Sequence, residues 1–167
     1  MQRRPLLLAG LGLGPAVWAA PSPAPADLWD AKFVRPEGGE LALSDFRGRW
    51  LLINFWATWC APCIKELPDL NTFAQAQSAR GAAGWQVIGL AIDGPTPVRQ
   101  FLTRFKPPLT FPIGLAGLNG AEWARKLGNS GGGLPFTVVV NPQGQLVWRK
   151  RGETTRRELD ALVLSLA

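Results

Sequence analysis

The chain has 167 residues, 47% of them hydrophobic, with eight tryptophans, two cysteines and no histidine. This is the length of one domain with apolar surface enough for a core, and two cysteines so close in sequence enclose too small a loop to act as a stabilising staple. The formal charge of +6 falls to about +4 if Arg3 and Arg4 leave with a leader, and nucleic acid is not the expected partner, because the densest basic segment, Arg149 to Arg157, has no stacking aromatic beyond Trp148 and the chain reads as exported.

Arg3 and Arg4 precede an apolar stretch from Leu6 to Val17, and small-residue cleavage sites follow at Val17-Trp18-Ala19 and Ala24-Pro25-Ala26. Residues 1–26 therefore read as a signal peptide and linker, cut after about 19 or 26, with the domain over 27–167. The apolar run falls short of the roughly 20 residues of a membrane span, so an uncleaved anchor is the competing reading. The paired arginines also resemble a twin-arginine export signal, leaving the export route open. No cysteine lies near the cleavage region, which excludes a lipoprotein anchor there. A bacterial periplasm is the compartment expected, one where disulfide chemistry is permitted.

Pro21 to Pro25 reads as an extended, mobile linker. A short strand is expected around Lys32–Val34, with a turn at Glu37-Gly38-Gly39. The apolar run Trp50–Trp56 reads as a buried strand, and Ala61–Arg80 as a helix whose Pro68 should kink it. Gln86–Ile92 is a second buried strand, followed by a helix over Pro97–Phe105, a short strand over Leu109–Gly114 and a helix over Ala121–Leu127 ended by Gly128. Phe136–Val140 and Gln145–Arg149 flank the turn Asn141-Pro142-Gln143-Gly144 and form a hairpin. A last helix runs to Leu166, with Thr155 and Glu158 at capping-box spacing. Alternating strands and helices closed by a hairpin give an α/β sandwich around a mixed sheet.

The chemistry concentrates in Trp59-Cys60-Ala61-Pro62-Cys63. Two cysteines at this spacing at the start of a helix share one face, with Cα atoms roughly 5–6 Å apart, within disulfide reach. A redox dithiol follows. Zinc would need four ligands, and covalent haem would need histidine after the second cysteine, where Ile64 stands. Cu(I) held by the two thiolates stays open as an alternative function, a copper carrier, although the chain's single methionine is Met1. A redox-inert adaptor is a third reading. No metal or other cofactor is called for by the dithiol itself.

Cys60, at the helix N-terminus, is the expected nucleophile, and Cys63, on the face of Leu67 and Leu70, the more buried resolving thiol. Glu66 lies one turn beyond Cys63, where its carboxylate could exchange protons with the thiols and raise their pKa while ionised; a solvated surface carboxylate is the alternative. Trp59 is a candidate for shielding or docking, or for plain packing, and Trp56 is expected in the core. Asn54 reads as a structural strand residue, with a hydrogen bond near the buried thiol as the other reading. The basic cluster Arg149, Lys150, Arg151, Arg156 and Arg157 reads as a solvated strand edge and helix start, with docking of an acidic partner or membrane surface as the other option.

The strand–CxxC–helix order, Trp59, Pro62 and Pro68 resemble the thioredoxin fold. The longer stretch Phe46-Arg47-Gly48-Arg49, Asn54-Phe55-Trp56-Ala57-Thr58-Trp59-Cys60-Ala61-Pro62-Cys63 and Glu66-Leu67-Pro68 resembles its TlpA/ResA/DsbE branch, from about residue 29 to the C-terminus. The resemblance implies a thioredoxin-like three-layer α/β/α sandwich and a redox-active Cys60–Cys63 pair. It implies a cis Pro135 after Leu134 facing the cysteines and supporting substrate, where an ordinary strand-start proline is the other reading. It further implies an exported thiol-disulfide oxidoreductase, reducing protein disulfides with an acid at Glu66 and Pro62 as a feature shared with reducing members. A membrane thiol donor would supply electrons, clients would include proteins such as apocytochrome c or a copper-delivery protein, and the enzyme is expected as a monomer. The run Gly131-Gly132-Gly133 departs from the loop of cytochrome-maturation members and speaks against a dedicated cytochrome role.

Overall fold

A computed structural model describes residues 20–166. The expected leader and its first cleavage site lie outside the described residues. Among those residues no helix is long and apolar enough to cross a membrane.

Among the described residues eight strands form one mixed sheet: β1 (Ser22–Pro23), β2 (Lys32–Val34), β3 (Glu40–Ala42), β4 (Leu51–Trp56), β5 (Gln86–Ala91), β6 (Ile113–Leu115), β7 (Phe136–Val140) and β8 (Gln145–Arg151). Their spatial order is β1-β8-β7-β4-β5-β6-β2-β3. β4, β5 and β6 run parallel, and β7 lies antiparallel on the other side of β4. The α-helices among the described residues are α1 (Ala61–Ser78), α2 (Pro95–Arg104), α3 (Asn119–Lys126) and α4 (Arg156–Leu166).

The alternation of strand side chains sorts the interior into two layers. Leu51, Ile53 and Phe55 of β4 point to one side, where they meet Ala124 of α3 and Leu28, Leu41 and Phe46 of the N-terminal segment. Leu52 and Trp56 point to the other, against Cys63, Leu67, Leu70 and Phe73 of α1, Val98 of α2 and Leu159 of α4. The result is the expected three-layer sandwich with a mixed sheet. β4 is covered on both faces, so all six of its residues are buried.

Several boundaries differ from expectation for local reasons. The Pro21–Pro25 stretch is extended but not a mobile linker: Ser22 pairs with Leu146 and Pro23 with Gln145, and Arg149 donates to Ser22 Oγ at 2.7 Å. Proline fits there because an outermost strand can spare an N–H. β1 covers β8 only at Gln145 and Leu146, and the basic cluster beyond is largely engaged by side chains: Lys150 pairs with Glu158, Arg156 with Asp160, and Arg149 also donates to Leu127 O. α2 starts at Pro95, two residues early, with Gly94 as its cap. The strand expected over Leu109–Gly114 is instead Ile113–Leu115, because Pro107, Pro108 and Pro112 lack N–H donors and Thr110 donates its N–H to Asn71 on α1 at 2.7 Å. α1 continues through Pro68, which lies on its exposed side. Thr155 and Glu158 form the capping box, and Gly128 ends α3 with φ 109°.

Candidate active site

The three parallel strands deliver their C-terminal ends to one edge of the sheet, and the chemistry gathers there. Leaving β4, the chain turns through Ala57-Thr58-Trp59 and enters α1 with Cys60 as the N-cap. Thr58 donates both its N–H and its hydroxyl to Asp93, at the end of β5, and Asp93 also accepts the Gly94 N–H at 2.8 Å. This clasp ties the loop before the dithiol to the neighbouring strand.

Cys60 and Cys63 form a disulfide with Cα atoms 5.3 Å apart. Cys60 Sγ accepts the Cys63 N–H at 3.3 Å, so the sulfur occupies the place of a capping oxygen and faces the positive end of the helix. Cys60 is 6% exposed and Cys63 is fully buried, while the neighbouring Trp59 is 69% exposed. Pro62 occupies the first turn of α1 and is solvent-facing, where its missing N–H leaves nothing unpaired.

β7 begins at this same edge because it is antiparallel to β4, with Phe136 opposite Phe55. That register places Leu134 and Pro135 beside the mouth of the dithiol. The Leu134–Pro135 bond is cis, Pro135 is buried, and Leu134 packs on the cluster containing both cysteines. The glycine run ahead of it is tied by Asn129, whose side-chain amide donates to Gly133 O at 2.9 Å.

Glu66 is not a surface carboxylate: it is 1% exposed. One carboxylate oxygen accepts from Asn54 Nδ2 at 2.7 Å and the other from the Thr154 N–H at 2.7 Å. Burial pushes its pKa up to about 7, against the two N–H donors and the Lys150 charge, which favour the carboxylate; Glu153 adds to the rise. Asn54, for which a structural strand role was the expected reading and a hydrogen bond near the buried thiol the other, belongs to this assembly. It lies directly opposite Thr137 and shares the second proton of its amide with Thr137 Oγ1 at 3.0 Å. Both it and Thr137 are fully buried, and among the described residues Asn54 Oδ1 and Thr154 Oγ1 have no protein partner. A polar residue interrupting an apolar strand at the position facing α1 was the available signal. Thr154 left no such signal, because its contribution is a backbone N–H.

A family model described as Redoxin matches residues 20–163. The chain belongs to the Redoxin family. Within it, the chain is 30% identical over 125 residues to the thiol-disulfide oxidoreductase ResA of Bacillus thuringiensis, covering 74% of this chain and 67% of that protein. A thioredoxin-related protein from Neisseria meningitidis superposes with a TM-score of 0.66 at 29% identity, covering 81% and 98% of the two chains. A thioredoxin-family thiol:disulfide interchange protein from Chlorobium tepidum superposes with a TM-score of 0.70 at 24% identity over 88% and 97%, a likeness of fold. With the Cys60–Cys63 pair in place, this Redoxin chain is a thiol-disulfide oxidoreductase of the ResA type, and its fold is thioredoxin-like. Among the described residues no three His, Cys, Asp or Glu side chains gather as a metal site.

Proposed function

We propose that this Redoxin protein is a periplasmic reductase of protein disulfides, with Cys60 as nucleophile, Cys63 as resolving thiol and Glu66 as proton acceptor. The observation that carries the reading is the alignment of the three along α1: a sulfur at the helix N-terminus that keeps a little exposure, a fully buried sulfur behind it, and a buried carboxyl with its pKa pushed up to about 7 one turn further on.

In the reduced enzyme the Cys60 thiolate is favoured by the α1 N-terminus, and the Cys63 N–H is already aimed at its sulfur. Attack on a substrate disulfide forms a Cys60–substrate mixed disulfide and releases the other substrate sulfur as a thiol. Cys63 then attacks Cys60 Sγ, its proton passing to Glu66, and the second substrate thiol departs as the Cys60–Cys63 disulfide closes. A carboxyl near pH 7 suits this proton transfer, and when ionised it disfavours a neighbouring thiolate, which makes the dithiol the better electron donor. Trp59, Leu134 and Pro135 frame the mouth where a substrate strand would lie. Electrons return from a membrane thiol donor. Clients are exported proteins with a wrongly or temporarily formed disulfide, and apocytochrome c and copper-delivery proteins are both of that kind.

Equilibration with glutathione redox buffers tests the direction. A reductase gives a potential in the thioredoxin region near −270 mV, whereas a value close to about −120 mV makes the protein an oxidant and overturns the proposal. Replacing Cys63→Ser should trap mixed disulfides with exported proteins through Cys60; an empty trap tells against exchange with proteins.

A further inference from the structure

Beside the dithiol lies an open cleft of about 460 Å³ that the exchange chemistry does not use. Thr58, two residues ahead of Cys60, lines one end, and the rest runs along α2 and the segment after it. Pro97, Phe101 and Phe105 give it apolar walls. The two phenylalanines pack at 5.2 Å, and Phe101 rests on Trp56 at 5.4 Å, so the aromatic surface is continuous with the buried floor of the active-site strand. Gln100, Arg104 and Lys106 complete the lining, and all three are exposed.

The charge here is one-sided. No aspartate or glutamate occurs in sequence between Asp93 and Glu122, and Asp93 is occupied by Thr58 and Gly94. Among the described residues neither Arg104 nor Lys106 has a carboxylate within ion-pairing distance, unlike Lys65, Lys126, Lys150 and Arg156. Apolar walls with unneutralised cations at the rim match a polypeptide segment that carries aspartate or glutamate next to an aromatic or other large apolar residue.

We propose that this cleft is a specificity site of the oxidoreductase, holding an acidic, apolar segment of the disulfide-bearing protein substrate close to the cysteine that Cys60 attacks. The proposal rests on the exchange reading above and names the chemistry of its substrate. Binding there raises the local concentration of the correct disulfide at Cys60 without contributing to bond exchange itself.

The test uses reduced full-domain protein and synthetic cysteine peptides capped as 2-thiopyridyl disulfides. Attack of Cys60 on the peptide sulfur releases pyridine-2-thione, and Cys63 then expels the peptide thiol as the protein disulfide forms. The dithiol supplies both electrons, and thione release is followed by absorbance. Three flanks are compared, Asp/Glu with Phe, Gln with Phe, and Lys with Phe, alongside thiopyridyl-capped mercaptoethanol as an uncharged reference.

The acidic peptide should react about tenfold or more faster than the lysine peptide, with the advantage shrinking at high salt. The Arg104→Glu/Lys106→Glu protein should reverse that order, and Arg104→Gln/Lys106→Gln should abolish it, both reacting with the reference at the wild-type rate. Equal rates for the three peptides, or a preference untouched by both double variants, overturn the cleft assignment while leaving exchange intact. Self-association of the wild type that is lost in the Glu variant makes the occupant a second copy and also overturns it. No reaction of the wild type with the uncharged reference fails the exchange reading itself, and the specificity site falls with it.

Discussion

The two faces of β4 carry alternate residues of one strand and have been put to different uses. Leu51, Ile53 and Phe55 face α3 and the N-terminal segment through hydrocarbon, with Phe55 and Phe136 in ring contact at 5.9 Å. Leu52, Asn54 and Trp56 are as deeply buried, but the middle one is an amide that, with Thr137, Thr154 and Glu66, makes a polar seam beneath the dithiol. The seam is under-satisfied: among the described residues Asn54 Oδ1 and Thr154 Oγ1 have no protein partner, and neither has the neighbouring Trp56 Nε1. An apolar replacement of the same shape would pack there at little loss, since paired polar groups gain little net stability and unpaired ones cost about 1–3 kcal/mol each. One face of the strand holds the fold, while the other holds a titratable carboxyl at a cost in stability.

The largest separation between the two faces comes from Phe55→Ala. It should destabilise the oxidised protein by about 3–5 kcal/mol in urea unfolding, as a large cavity in a dry core does. Its glutathione equilibrium and reaction rate with an uncharged disulfide, measured where the variant is folded, should match wild type. A shifted potential would mean that the two faces are not independent; Phe55→Leu repeats the comparison with a smaller loss of packing.

Glu66→Gln probes the other face through pH. The carboxyl titrates at about 7 in the fold and at 4.5 when unperturbed. Below 4.5 it is protonated in both states and burial carries no charge penalty. As pH rises from 4.5 to 7 the unfolded chain releases the proton while the fold retains it, so wild-type stability falls, by about 3 kcal/mol once pH exceeds 7. Glu66→Gln should lack that decline, so the stability difference between variant and wild type should swing in the variant's favour by about that amount between pH 4.5 and 8. Parallel pH curves would refute the raised carboxyl. In the thiol exchange reaction, the same variant should lose the inflection near pH 7.

How far these features were legible from sequence follows from what kind of atom makes each one. The sandwich, the two central strands, the closing hairpin, and the places of Cys60 and Cys63 came from side-chain types at fixed spacings, which a sequence displays directly, whereas the cis Pro135 facing them came from the resemblance to the thioredoxin fold. The Thr155–Glu158 cap was readable for the same reason. β1 was missed because two residues rich in proline resemble a linker, and only the outer edge of β8 makes them a strand. The true extent of β6 depended on Asn71, on a distant helix, capturing Thr110. Glu66 could be placed beside the thiols, but its burial depends on Thr154, contributed from 88 residues away through a backbone N–H. Asn54 was visible as an oddity in an apolar run, yet its partner across the sheet depends on the register with β7.

Asn54→Val gives the smallest of the expected effects and the closest test of why the seam is polar. Valine suits a buried strand and removes the unpaired Oδ1, which by itself favours the variant. It also strips Glu66 Oε1 of its 2.7 Å donor and Thr137 Oγ1 of its 3.0 Å donor. A hydrogen bond to a carboxylate favours the charged form, so its loss should move the Glu66 pKa further above 7. The sign follows from the protonation state. Near pH 5 Glu66 is protonated in the fold, the lost donor matters least, and variant and wild type should be close in stability. Near pH 8 wild-type Glu66 is ionised and held by Asn54, so the variant should be weaker by a further 1–2 kcal/mol or about that. Urea unfolding of the oxidised protein at the two pH values measures the gap. A gap that is the same at both would make Asn54 a packing residue only; one that opens with pH makes it the positioning residue for the carboxyl behind the dithiol.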